Sequence, residues 1–190
     1  MLENFAYVDM ARKVVGVGSV GTRAFIVLLE GRDMKDPLFL QVKEATRSVL
    51  EDHLPASKFA NPGERVVRGQ RMMQATSDIF LGWRKMTIPI ENVDRSFYVR
   101  QLKDWKGSAE IATMEPEGMT VYARLCGWTL ARAHARSGDR VAIAAYLGGG
   151  DAFDRAITEF ADAYADQNQR DFEALKRAVA SGSVEAQTGL

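Results

Sequence analysis

The sequence holds a single cysteine, Cys126, and only two histidines, His53 and His134, in 190 residues. One thiol excludes an intrachain disulfide. One thiol and two imidazoles also fall short of the donor set of a closed Cys/His zinc site. Neither sign of charge is in excess, because Lys plus Arg count 25 and Asp plus Glu count 25. A balanced chain gives no support to a nucleic-acid or membrane-surface partner. No apolar run approaches the roughly 20 residues that a membrane helix needs. The first residues carry Glu3 and Asp9 rather than the basic-then-apolar pattern of an export signal. The expectation is a cytoplasmic protein with no membrane and no nucleic acid among its partners. Internal repeats and low-complexity blocks are absent as well.

What is present is the balance of a globular protein, with 46% hydrophobic and 26% charged residues. The first half reads as β-rich. Lys13 to Val15 and Ala24 to Leu29 are short β-prone runs separated by glycines. After the polar turn Gly31 to Pro37 comes "LFLQVKEA", with Leu38, Leu40 and Val42 on one face and Phe39, Gln41 and Lys43 on the other. "NPGERVVRGQRMMQATSDIF" signals a helix start. Asn61 is a good N-cap, Pro62 suits the first helical position and Glu64 completes a capping box. Val66, Val67, Met73 and Ile79 are its apolar contacts. "LGWRKMTIPI" and "RSFYVRQLKD" read as two further strands joined by "ENVD". From Glu115 the period becomes helical, with Met119, Tyr122, Cys126, Leu130 and Ala133 in one stripe and Gly138 at its end. A second long helix follows "GGG" near Asp151, with Phe153, Ile157, Phe160, Tyr164, Phe172 and Leu175 as buried candidates. The class is α+β: a five-stranded antiparallel lobe with one main helix over residues 1–107, then a partial all-helical lobe over residues 108–190.

Gly16-Val-Gly18-Ser19-Val-Gly21 matches G-x-G-x-x-G, a pattern found in two unrelated nucleotide sites. A dinucleotide fingerprint needs a helix to open at the third glycine, because the helix N-terminus holds the pyrophosphate. Here Gly21 is followed by Thr-Arg-Ala-Phe-Ile-Val-Leu-Leu, a β-branched and apolar run with no capping signal. A hairpin that lays backbone N–H groups over ATP phosphates fits better, since glycines let the backbone approach. In that reading Gly16, Gly18, Ser19 and Gly21 cradle phosphates and Lys43 contacts the α/β-phosphates. Glu64 orients Lys43, and the segment from Gln101 to Lys103 faces the adenine. The plainer readings stay open beside it. The glycines form only a turn, Lys43 is a solvated strand lysine, and Glu64 serves the helix cap. The stripe through Cys126 reads as core, and His134 as a helix C-terminal residue.

"DMARKVVGVGSVGTRAFIVLLEGRD", "PLFLQVKEA", "RVVRGQRMMQATSDIFLGW", "FYVRQLKDWKGS" and "YARLCGWTLARAHARSGD" resemble the C-terminal half of an uncharacterised bacterial family, domain-of-unknown-function family 2252. The likeness covers nearly the whole chain. It implies a kinase-like fold, similar to aminoglycoside phosphotransferases but circularly permuted. In that family a "GDAHLENFG"-type loop and an "NDFDEA"-type motif come first. Neither is present here, and "LENF" at Leu2 to Phe5 lacks the residues that would precede it. No H-R-D-x-x-x-x-N loop follows Lys43. Asp139 is a candidate, but position 144, where that loop needs Asn, is Ala, and Asp151 and Asp154 look like helix-start residues. The expected function is therefore a nucleotide-binding, kinase-like fragment with no catalytic or metal-ligating residue of its own. ATP is the expected ligand, with magnesium only when the missing half is supplied. The expected partners are the nucleotide and either a second copy or a chain that supplies that half. The rival expectation is a non-catalytic binding or scaffold module using the same cleft, or a truncated gene product.

Overall fold

The computed structural model describes residues 2–13, 16, 21–33, 35–88, 92–103 and 107–186. They form two compact units, divided between Gly138 and Asp139. Among the described residues no helix is long and apolar enough to cross a membrane.

The first unit is built on five strands: β1 (Ala6–Arg12), β2 (Ala24–Glu30), β3 (Pro37–Ala45), β4 (Gly82–Ile88) and β5 (Val93–Gln101). They make one antiparallel sheet in the order β1-β2-β3-β5-β4. The expected fold class holds at this level: an antiparallel five-stranded sheet followed by helices. The first strand is displaced from its expected place at Lys13 to Val15. Lys13 lies just past β1, and residues 14 and 15 lie outside the described residues. The reason is physical. β1 is an edge strand exposed along its whole length, with a register shift between Tyr7 and Asp9. Such a strand carries little of the apolar alternation by which strands are recognised.

β3 is central and does show the expected alternation, with Leu38 and Leu40 buried on one face. The registers carry that face to Phe25 on β2 and to Phe97 and Val99 on β5. The rings of Phe25 and Phe97 lie 6.4 Å apart. The opposite face contains Gln41, Lys43, Tyr98 and Trp83.

α1 (Pro62–Met73) begins where the sequence places it. The Asn61 side chain accepts hydrogen bonds from the N–H groups of Gly63 and Glu64, at 2.8 and 3.2 Å. The capping box is only half made, because the Glu64 carboxylate pairs with Arg68 at 3.3 Å. Val67 is fully buried, as is Phe97. The helix is shorter than the apolar pattern suggests. It stops at Met73, and Ile79 is an exposed loop residue rather than a helical contact. Residues 74–81 are instead pinned by Asp78, which accepts from the N–H groups of Phe80 and Gln101. α2 (Pro116–Ser137) closes this unit and ends at Gly138 as expected. Its stripe is not a core: Met119 and Leu130 are exposed, and Tyr122, Cys126 and Ala133 are half-buried.

The second unit holds α3 (Arg140–Leu147) and α4 (Ala152–Ala180), neither of which contains a buried residue. α3 fills the stretch between Gly138 and the glycines at 148–150. The candidates Phe153, Ile157, Phe160, Tyr164, Phe172 and Leu175 are exposed rather than buried. A contiguous apolar stripe in water favours association. Sedimentation equilibrium of the purified chain is expected to show a mass that rises with concentration. A Phe160→Glu, Tyr164→Glu variant should move it towards the monomer. A wild-type monomer at all concentrations would contradict this.

Candidate functional site

The segment between β1 and β2 carries the glycine motif. Its mouth is closed by a hydrogen bond from the Lys13 N–H to the Ala24 carbonyl, 2.9 Å long. Gly21 has φ of +82°, in the left-handed region where a side chain is strained. A Cβ at Gly16 or Gly21 would meet nothing within 4 Å. Gly18 and Ser19 lie outside the described residues. After Gly21 the chain makes a bend and enters β2, with no helix. The helix-opening geometry of a dinucleotide fingerprint is therefore not formed.

Lys43 stands directly opposite Ala24 in the β2–β3 register. It is thus beside the first residue of the strand that leaves the glycine segment. Its other cross-strand neighbour is Tyr98, which in turn faces Trp83. Cross-strand partners project to the same side, so Ala24, Lys43, Tyr98 and Trp83 form one row across the sheet. α1 reaches this face through Arg68, whose guanidinium lies 5.6 Å from the centre of the Trp83 ring. Burial pushes the Tyr98 phenol above its ordinary 10.0, against the opposing pull of Arg100. Tyr98 is therefore a neutral hydroxyl at physiological pH. One register step away, Arg100 donates twice to the Gln41 side-chain carbonyl, at 3.1 and 2.9 Å.

The structure brings Gly21 and Lys43 to the same end of the sheet. Glu64 is not joined to Lys43. Among the described residues its carboxylate is engaged by Arg68, one turn along α1. Gln101 sits at the end of β5, where its N–H donates to Asp78. Asp139 caps α3, accepting from the N–H groups of Val141 and Ala142 at 2.9 and 3.0 Å. Asp151 pairs with Arg155 at 3.4 Å and Asp154 lies in the first turn of α4. Among the described residues no group of three or more His, Cys, Asp or Glu side chains could hold a metal ion.

Two features were not anticipated from sequence. Glu44 does point away from Lys43, as alternation requires, but it is no solvated residue. Its side chain is 6% exposed and bridges Arg95 at 2.7 Å and Arg23 at 3.4 Å. It also accepts from the Arg23 N–H at 3.0 Å. Burial raises its pKa, but the bonds from Arg95 and Arg23 together outweigh that and hold it below the ordinary 4.5. The other feature is a groove of about 760 Å³ among the loop after α1, the end of β5 and α2. The sequence does signal one wall of it, since Trp128, Arg132 and Arg136 recur every four residues.

A family described as an uncharacterized protein conserved in bacteria (DUF2252) matches residues 1–178. No curated protein and no solved structure matches the chain.

Proposed function

We propose a function from the premise that the chain belongs to this family of uncharacterised bacterial proteins: it is a nucleotide-binding module of kinase-like design. The observation that carries the proposal is the pairing of Ala24 with Lys43. It sets a half-buried lysine on the central strand at the exit of a glycine-rich hairpin. In kinases a Gly-rich loop covers the phosphates and a β3 lysine binds them. The same order of parts occurs here. Gly16, Gly18, Ser19 and Gly21 would supply backbone N–H groups, and Gly16 and Gly21 leave open space where side chains would obstruct. Lys43 would neutralise the α/β-phosphates. Tyr98 and Trp83 would form the floor beside it, and Gln101 would lie at the adenine end.

Glu64 has a conditional part in this scheme. To orient Lys43 its carboxylate would have to turn from Arg68 or offer its second oxygen. Magnesium enters only with carboxylate or amide ligands contributed by a complementing chain, which would also bring the catalytic aspartate. ATP binding alone, without transfer, would serve equally in a non-catalytic module that uses the same cleft.

Titration of the purified chain with ATP, with and without magnesium, tests the proposal. The expected result is saturable binding that Lys43→Ala weakens by about 1–3 kcal/mol, the scale of a lost charge-assisted hydrogen bond. Equal affinity in the two proteins would reject the assignment of Lys43.

A further inference from the structure

The groove described above gathers four cationic side chains. Arg100 and Lys103 enter it from the end of β5, and Arg132 and Arg136 enter from α2. Among the described residues, Asp78 is the only acidic one in its wall. Its carboxylate is already the acceptor for the backbone N–H groups of Phe80 and Gln101. Lys103, Arg132 and Arg136 have no carboxylate partner among the described residues. Arg132 and Arg136 are four residues apart on one helix, where like charges repel each other. No carboxylate among the described residues is paired with either of them to relieve that repulsion. In a chain with no net charge, such clustering is local.

The geometry points to a binding site for a compact phosphate-bearing small molecule, separate from the glycine hairpin and Lys43, although Gln101, placed above at the adenine end, also lines it. Guanidinium groups match phosphate oxygens in pairs, with planar forks of N–H donors. Arg132 is held for this purpose: its guanidinium stacks 4.5 Å from the centre of the Trp128 ring. Stacking engages the face of the fork and leaves its N–H edge to donate. Arg100 is fixed by its two bonds to Gln41. Thr76 and Ser77 also line the groove and carry neutral hydroxyl donors. Trp128 is 57% exposed, an apolar ledge for the remainder of such a ligand. The volume lies within the roughly 300–1,000 Å³ usual for small-molecule sites. A nucleic acid would call for a basic stripe extending beyond one groove.

The test is calorimetric titration of the whole chain with inorganic pyrophosphate. Three proteins are compared: wild type, an Arg132→Gln, Arg136→Gln double variant, and Lys43→Ala. Both arginines are exposed, so the double variant is expected to keep its far-ultraviolet circular dichroism. The expected result is saturable binding that is about tenfold weaker or more in the double variant, as when charged hydrogen bonds are lost. The binding that the double variant weakens should persist in Lys43→Ala, which removes only pyrophosphate held at the hairpin. Parallel titration with orthophosphate separates a site for a single phosphate from one that spans two. Absence of saturable binding, or equal affinity in the double variant, would overturn the proposal. So would loss of binding in Lys43→Ala alone, which would place the anion at the hairpin. Displacement of pyrophosphate by a tighter-binding single-stranded oligonucleotide would overturn it in favour of nucleic acid.

Discussion

Replacing Gly63 by alanine is expected to destabilise the first unit by about 2–3 kcal/mol, the scale of overpacking at a tight contact. The added Cβ would lie 2.5 Å from the Phe97 carbonyl oxygen and 3.1 Å from its carbon. Both are backbone atoms of the central part of β5, so no side-chain rotation relieves the clash. Either α1 lifts from the sheet, uncovering Val67 and Phe97, or β5 is displaced. The sign is diagnostic. Helix propensity alone favours alanine over glycine by up to about 1 kcal/mol. Gly69 lies in the same helix and provides the control, because a Cβ there meets nothing within 4 Å. Urea denaturation should show a lowered midpoint for Gly63→Ala and an unchanged or raised midpoint for Gly69→Ala. A stabilised Gly63→Ala protein would mean that α1 does not approach β5 this closely.

Glu44→Ala is expected to cost about 3 kcal/mol, the lower end for removing one member of a buried ion pair. The lower end applies because the side chains of Arg23 and Arg95 are each a quarter exposed. The carboxylate connects β2, β3 and β5, since Arg95 lies on β5 and Arg23 immediately precedes β2. Its removal therefore loosens the strand that carries Lys43. The pH dependence has a defined sign. The folded pKa of Glu44 is depressed relative to its ordinary 4.5. Its contribution is thus fully present above that value and is lost as pH falls through the lowered folded value. Wild-type stability should decline with acid across this range, and Glu44→Ala should decline less. Parallel acid profiles for the two proteins would contradict the bridge.

The elements most legible in the sequence were those with strong local chemistry. Asn61-Pro62 fixed the start of α1, and alternation in "LFLQVKEA" gave the facing of Lys43. Gly138 marked the end of α2. Edge strand β1 was misplaced because a fully exposed strand has no apolar period to read. The helical stripes were legible as helices but not as surfaces. Periodicity reports which residues share a face and says nothing of whether another element covers it. Glu44 was invisible for a similar reason. Its partners lie 21 and 51 residues away, and only the sheet register brings them together. The order of glycines, lysine and helix glutamate suggested a linked trio. The folded chain places the first two at one sheet end and engages the third with Arg68.

The measurement that bears most directly on the central claim is amide hydrogen exchange of the whole chain with and without ATP. A nucleotide held between the hairpin and Lys43 should slow exchange in residues 16–25 and 41–44, where backbone N–H groups would meet phosphate or lie beneath it. Lys43→Ala should remove that protection. Protection confined to α2 and the end of β5, or none in either protein at saturating ATP, would contradict the nucleotide site proposed here.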